Sequence, residues 1–487
     1  MAFDEAAIRR HMLVTPGAMA AADERTIAGG TERAVLIRRA ARAITRVLRS
    51  RYAKQPTVIL CGPGHNGADG ISVAEMLIEA GWPVEVVLLD ENQDLSDRLG
   101  VLSRVRPSGT FSPRAGMLVI DALFGAGLSR LLEGEALMLI ERLELSQATC
   151  LAIDLPSGLD GQTGEIRGAA PYADATVTFH RLKPGHLLGH GPERCGKVFL
   201  ADIGIEAEED DAGALHNHPD LWRHLLRPSK RDTHKYEKGH VTALGGPGLK
   251  GGAGRLAARA AAVSGAGAVT YLTPLSSAEF AAASFDAVMV APFHGPDSVT
   301  DLTYKRGGAC VFGPGMGHGD AAKEALLAVL ETEIPCVLDA DALTLFEKKP
   351  GELFEKLHPN CVLTPHEGEF SRLFGEMEGS KLERACKAAK KAGAVVLLKG
   401  STTVIAGDGL PLVNSNGSAA LATAGAGDVL AGLIAGFLAQ GMAAAEAAAA
   451  GAYIHADAAS GQGPGLEAEA LPPLIASVLK NLVAPTH

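Results

Sequence analysis

The sequence predicts an α/β protein of two domains, each a mostly parallel sheet with helices on both faces. Three observations predict it. Short apolar runs rich in Val, Ile and Leu alternate with helical patterns along the chain, as strands buried on both faces do. The alternation halts at an acidic stretch, residues 206–220, and then starts again. A chain of 487 residues also exceeds what one core organises.

The elements follow in order. Residues 17–50 read as helices, with Thr31 to Leu48 apolar on one side and arginine-rich on the other. Thr57 to Leu60 is a strand, followed by a Gly-rich loop and a helix near Ser72 to Ala80. Val84 to Leu89, Leu118 to Ile120, Leu151 to Ile153, Thr176 to Phe179 and Val198 to Leu200 complete the first sheet. Residues 206–220 read as a domain linker or exposed edge. The second domain opens with the strand Val241 to Leu244, a Gly loop and an Ala-rich helix from about Gly254 to Ser264. Val269 to Leu272, Cys310 to Phe312, Val337–Leu338, Val362 to Thr364 and Val395 to Leu398 are further strands, with Val404 to Ala406 beside the last. Val429 to Ala445 reads as a buried helix, a turn and a second helix rather than a membrane span, because Gly432, Gly436, Gln440 and Gly441 interrupt it.

Composition narrows the function. A formal charge of −11 and an aromatic content of 5% argue against nucleic acid and anionic membrane as partners. The seven cysteines are scattered, without a Cys-x-x-Cys, which fits reduced thiols in a cytoplasmic protein. Met1 to Arg10 is charged and has no apolar core, so it is not read as a signal peptide.

Two Gly-rich loops carry the chemistry. In the first, Gly62, Gly64 and Gly67 follow a strand in the Gly-x-Gly-x-x-Gly pattern, with Asp90 after a later strand, which is the dinucleotide fingerprint. The loop also holds Asn66 and Asp69, which that fingerprint does not require. The loops after Leu60, Ile120 and Ile153 are expected to converge, since ligands bind beyond the carboxyl ends of parallel strands. In the second, Thr423-Ala424-Gly425-Ala426-Gly427-Asp428 opens into an apolar helix. Backbone N–H groups and a helix N-terminus cradle a phosphate there, and Asp428 is placed to take a proton from a hydroxyl attacking it.

Residues 10 to 205 resemble the NAD(P)H-hydrate epimerase family. The resemblance rests on Gly62-Pro63-Gly64-His65-Asn66-Gly67-Ala68-Asp69-Gly70, Asp121 to Gly127, Asp154-Leu155-Pro156-Ser157-Gly158-Leu159-Asp160, Lys183-Pro184-Gly185 and Asp202 to Ile205. It implies a Rossmann-like three-layer sandwich over residues 1–215 and a potassium ion held by Asn66, Asp121 and Ser157. It also implies Asp154 as the acid/base group, and a substrate lined by His65, Asn66, Gly67, Ala68 and Asp69 and by Gly125, Ala126, Gly127, Leu128, Ser129, Arg130 and Leu131. The family usually has Asn-Asn-Gly-Gly-Asp-Gly where this chain has His65 to Gly70, and Gly-Thr-Gly where it has Gly125-Ala126-Gly127.

Residues 225 to 485 resemble the ADP/ATP-dependent NAD(P)H-hydrate dehydratase family of the ribokinase-like superfamily. The matching segments are His234-Lys235, Gly245 to Gly248 with Gly252-Ala253, Gly313 to Gly317, Leu338 to Leu343, Leu363 to Phe370, Lys399 to Thr403 and the loop at Asp428. This implies a ribokinase-like α/β domain over residues 222–487. Asp428 would be the catalytic base, with Gly425, Ala426 and Gly427 on the transferred group. Lys399, Gly400, Ser401, Thr402 and Thr403 would lie on the adenine nucleotide, and Ala253, Gly317 and His366 on the hydrate. The implied ligands are NADHX and NADPHX, with ADP as phosphoryl donor and Mg2+ beside it. The expected protein partner is a further copy of the chain. The rival reading is a ribokinase-like small-molecule kinase fused to a non-catalytic nucleotide-binding domain.

Overall fold

The computed structural model describes residues 3–89, 99–206, 208, 211–226, 234–306 and 308–483. Asp90, three residues of the acidic stretch (Ala207, Glu209, Asp210) and the Lys235 side chain lie outside the described residues. The chain forms two compact units, His11–Ala214 and Leu215–His487, the second including Met1–Arg10.

In the first unit the strands are β1 (Thr57–Cys61), β2 (Val84–Leu88), β3 (Val105–Arg106), β4 (Leu118–Ala122), β5 (Thr149–Ile153), β6 (Ala175–Phe179) and β7 (Lys197–Ala201). They pair in the order β3-β2-β1-β4-β5-β6-β7, all parallel. The order reverses between β1 and β4, so the loops after these two strands border the crevice where such sheets bind ligands. The helices that matter are α1 (Pro16–Ala28), α2 (Arg33–Arg51), α3 (His65–Glu79) and α4 (Gly134–Glu144). The two-residue period of β1 sets the layers. Val58 and Leu60 share a buried cluster with Leu139, Ile140 and Leu143 of α4. Ile59 and Cys61 face the other way, against α3 at Gly70. Helix α3 begins at His65, so residues read from sequence as loop are its first turn.

The second unit contains the end of β8 (Ala212–His216), from Leu215 on, with β9 (His240–Leu244), β10 (Ala268–Pro274), β11 (Met289–Phe293), β12 (Ala309–Phe312), β13 (Cys336–Leu338), β14 (Cys361–Leu363), β15 (Val395–Leu398), β16 (Thr403–Ala406) and β17 (Leu412–Asn414). Strands β11-β10-β9-β12-β13-β14-β15 are parallel neighbours. Strands β16 and β17 continue antiparallel, and Leu215 and His216 of β8 pair parallel with β17. The order reverses at β9 and β12, which again places two loop ends together. The acidic stretch is therefore not all linker. Its end supplies a strand, and Asn217 is buried in a polar network, donating to Asn414 Oδ1 and Ala449 O at 2.8 Å each and accepting from Trp222 Nε1 at 3.0 Å.

Helices α5 (Gly252–Val263), α6 (Glu367–Phe374), α7 (Ala426–Ala439) and α8 (Ala444–Ala459) position the second site. Helix α7 crosses α5 at backbone distance, and a β-carbon on Gly432 would lie 2.0 Å from the Ala257 carbonyl oxygen. Backbone cannot yield there as a flexible side chain would. Gly432→Ala is expected to destabilise the second unit by about 1–3 kcal/mol, read by thermal unfolding of the full chain. Unchanged melting would refute this packing. Among the described residues no helix is long and apolar enough to cross a membrane. All seven cysteines are free, and six are buried.

Candidate active sites

The first unit encloses a cavity of about 510 Å³, lined by α1, α2 and the loops after β1, β4 and β5. His65, Asn66 and Asp69 line it, as do Gly125 to Arg130 and Asp154. Gly67, Ala68 and Leu131 are not on its wall, and Leu131 is largely exposed. Asp121 and Ser157 are fully buried away from the wall. Ser157 Oγ donates to Asp121 Oδ1 at 2.6 Å, and Ser157 N donates to Asp121 Oδ2 at 2.7 Å. Burial pushes the Asp121 carboxyl up to about 6, against these bonds. The Asn66 Nδ2 group is buried without a partner among the described residues.

Asp154 stands just past β5 with φ +65°, a left-handed conformation uncommon outside glycine and concentrated at functional sites. Its side chain is fully engaged. Oδ1 accepts from Lys183 Nζ at 2.8 Å and from Thr178 Oγ1 at 2.9 Å, and Oδ2 accepts from the Ala126 amide at 2.8 Å. Burial alone would raise this carboxyl, but the Lys183 ammonium and these bonds outweigh it and hold it at about 2. The His186 ring bonds the Asp154 carbonyl oxygen at 2.8 Å, and burial, with Lys183 nearby, lowers its pKa to about 4. Lys183 is 1% exposed. In the sequence Lys183 stands out only as part of the matching segment Lys183-Pro184-Gly185, with no role of its own. Asp69 contrasts with Asp154. It accepts no hydrogen bond from the described residues, and burial followed by the charges of Asp154 and Asp23 holds its carboxyl well above the ordinary range.

In the second unit Gly425 takes a left-handed conformation (φ +93°) and caps the N-terminus of α7, leaving Ala426, Gly427 and Asp428 as its first turn. Amide groups at these positions have no partner within the helix and face an anion naturally. Asp428 is raised to about 7, first by burial and then by Asp339, partly offset by Lys399. Lys399 Nζ donates to Asp339 Oδ1 at 2.8 Å and lies 4.0 Å from Glu369 Oε2. A β-carbon on Gly427 would come within 3.4 Å of Lys399 Nζ, so this ammonium stands at the first turn of α7. Within the segment Lys399 to Thr403, Gly400 and Ser401 are exposed while Thr402 is buried.

The loop after β12 brings Gly317, whose amide donates to Asp341 Oδ2 at 2.8 Å, and a β-carbon on Gly315 would meet Ala253 Cβ of α5 at 3.3 Å. His366 caps α6: its Nδ1 accepts from the Gly368 and Glu369 amides at 3.0 and 3.2 Å, and its ring remains half exposed. The structure thus gathers Asp428, Gly425 to Gly427 and Lys399. It adds Asp339, Asp341 and Glu369, whose charges act on Asp428 and which the sequence motifs do not single out as site residues. Asp339 and Asp341 lie in the matching segment Leu338 to Leu343, but an acid after a strand is a position that caps and turns also occupy.

Two sheets, each with a Gly-rich loop at its switch point and titratable groups beside it, define a nucleotide-handling enzyme of two parts. A family model described as YjeF-related protein N-terminus matches residues 33–185, and one described as NAD(P)H-hydrate dehydratase matches residues 241–478. Curated bifunctional NAD(P)H-hydrate repair enzymes match most of the chain. That of Coxiella burnetii is 33% identical over 87% of this chain and 89% of its own. That of Mycobacterium leprae is 36% identical over 82% of each. The solved ADP/ATP-dependent NAD(P)H-hydrate dehydratase of Bacillus subtilis, co-crystallised with ATP/Mg2+, is 26% identical over 55% of this chain and 99% of its own, with a TM-score of 0.48. The chain belongs to the bifunctional NAD(P)H-hydrate repair enzyme family.

Proposed function

We propose that the chain repairs hydrated nicotinamide cofactors in two steps. The domain of residues 1–215 interconverts the R and S epimers of NAD(P)H-hydrate. The domain of residues 222–487 dehydrates the S form at the expense of ADP. The observation that carries the second step is Asp428, titrating near neutrality at the mouth of a helix N-terminus. Hydroxide leaves poorly and phosphate leaves well. Asp428 takes the proton of the ring hydroxyl as its oxygen attacks the terminal phosphoryl group of ADP, and AMP departs. The first-turn amides of α7 and the Lys399 ammonium stabilise charge on the transferred group. Phosphate then leaves the ring carbon, the neighbouring carbon loses a proton, and NAD(P)H is restored. Mg2+ would accompany the nucleotide, and Asp339, Asp341 and Glu369 offer oxygen ligands of the type it takes. Ala253, Gly317 and His366 border the hydrate in this reading, and Gly400 to Thr403 the adenine nucleotide.

Asn66, Asp121 and Ser157 fit a potassium ion. All three offer hard oxygens, and among the described residues the buried Asp121 carboxylate accepts only from Ser157 and the Leu123 amide, with no cationic side chain bonded to it. The ion would supply the charge that this carboxylate lacks and fix the loop after β4. Action in the cytoplasm and assembly as a homo-oligomer belong to the same proposal.

Two experiments test this reading. Stoichiometric release of AMP and inorganic phosphate with each NADH recovered supports it, and accumulation of a stable phosphorylated product contradicts it in favour of a plain kinase. Gly125→Ala reports on the first site. A β-carbon there would stand 2.8 Å from Asp154 Oδ2, displacing the carboxylate from the Ala126 amide. Epimerisation is expected to fall roughly 10²-fold with dehydration of the S form unchanged, since misplacement by about 1 Å has that effect. An unchanged epimerisation rate would refute the placement.

A further inference from the structure

We propose that Asp69 is the proton-transfer group of the first unit, its carboxylic acid giving one proton to the hydrate ring nitrogen while taking another from the ring hydroxyl, with Asp154 as a fixed anion beside it. The assignment rests on the epimerase reading. It differs from the expectation drawn by resemblance, in which Asp154 performs the acid/base work.

The chemistry sets the requirement. Water adds to an enamine double bond with its oxygen on the carbon next to nitrogen, so the hydrate is a hemiaminal and its epimers differ at that carbon. When the carbon–nitrogen bond breaks, the ring opens to an aldehyde. The hydroxyl loses its proton, and the nitrogen keeps the electron pair and gains a proton. Rotation about the adjacent carbon–carbon bond presents the other face of the aldehyde. Closure then restores the hemiaminal and returns both protons, with no atom gained or lost. A neutral carboxyl with both oxygens free performs this relay without forming an ion: its O–H gives a proton to nitrogen and its C=O takes the one from the hydroxyl.

Of the carboxyl groups on the cavity wall, Asp154 does not meet that requirement. Both oxygens of Asp154 are occupied, by Lys183 and Thr178 on one side and the Ala126 amide on the other. Asp69 lines the same cavity and accepts no hydrogen bond from the described residues. Burial first, and then the charges around it, favour its neutral form. Asp154 past β5 and Asp23 of α1 both raise its pKa, and Asp23 is itself raised by burial but drawn back by Lys183, His65 and Arg33. Of the cations on the cavity wall, Lys183 is committed to Asp154, and Arg33 to Glu24 and His65, leaving Arg130 on the loop after β4. Two carboxyls whose surroundings drive them to opposite charge states are the usual mark of divided roles.

The test uses the full chain, with NADH-hydrate epimers resolved by chromatography and ADP-dependent dehydration of the S form as the control for folding. Asp69→Asn is expected to lower epimerisation roughly 10²-fold or more, with dehydration intact. The wild-type epimerisation rate falls as pH rises through the Asp69 pKa. In Asp154→Asn, removal of the neighbouring anion shifts that fall to lower pH. An Asp69→Asn chain that epimerises at the wild-type rate, or an Asp154→Asn chain whose alkaline limb does not move, overturns the assignment. A wild-type chain that does not interconvert the epimers overturns the epimerase reading and the assignment with it.

Discussion

Asp428→Ala is expected to abolish ADP-dependent dehydration, by about 10²–10⁴-fold, while nucleotide binding and epimerisation persist. The size follows from the loss of a positioned base whose pKa matches its task. Burial and the Asp339 charge raise Asp428 to about 7, whereas an ordinary aspartate would be a poor proton acceptor. The sign of the pH dependence follows. A base must be ionised to act, so the wild-type rate falls as pH drops below about 7. Asp339→Asn removes a charge that raises this pKa and frees Lys399, which lowers it, so the acid limb moves to lower pH. Fluorescence titration with ADP separates binding from chemistry. Wild-type turnover in Asp428→Ala would refute the assigned role, and an acid limb unmoved in Asp339→Asn would refute the coupling.

The second large effect concerns Lys183. Its ammonium spends all three donors, on Asp154 Oδ1 at 2.8 Å, Thr178 Oγ1 at 2.9 Å and the Phe179 carbonyl at 3.3 Å. Lys183→Met leaves Asp154 charged and unpaired in the interior. Breaking one side of a buried pair costs about 3–5 kcal/mol, so the first unit is expected to unfold in milder denaturant. The double substitution Lys183→Met with Asp154→Asn removes the stranded charge and is expected to recover most of that loss. Denaturant midpoints of the three chains decide it. If the double variant is no more stable than the single one, the loss lies in packing rather than in charge.

The strands that sequence made legible are those with a strong local signal. Thr57 to Leu60 and Val395 to Leu398 are apolar, β-branched and bounded by breakers, and they lie inside their sheets. The unread strands lack that signal. Met289–Phe293 contains Pro292 and is the last strand of its sheet, where proline is tolerated. Ala212–His216 is Ala-Gly-Ala-Leu-His and sits beside an acidic run, so nothing local marks it as a strand. The sites divide in the same way. Gly-rich loops at switch points are visible because glycine spacing and the strand before it are local. Lys183 within Lys-Pro-Gly looks like a surface turn, and only the fold brings it to Asp154, 29 residues away. Likewise Lys399 reads as a nucleotide contact in its segment, while its pairing with Asp339, 60 residues earlier, sets it beside Asp428.

The account's central claim is that one chain carries both repair activities. It is tested most directly by following recovery of reduced-nicotinamide absorbance from a mixture of both NADH-hydrate epimers, with ADP, with ATP and with neither. Complete recovery with ADP, faster than spontaneous epimerisation supplies the S form, is the predicted result. Recovery that stops once one epimer is consumed, or none with either nucleotide, would contradict it.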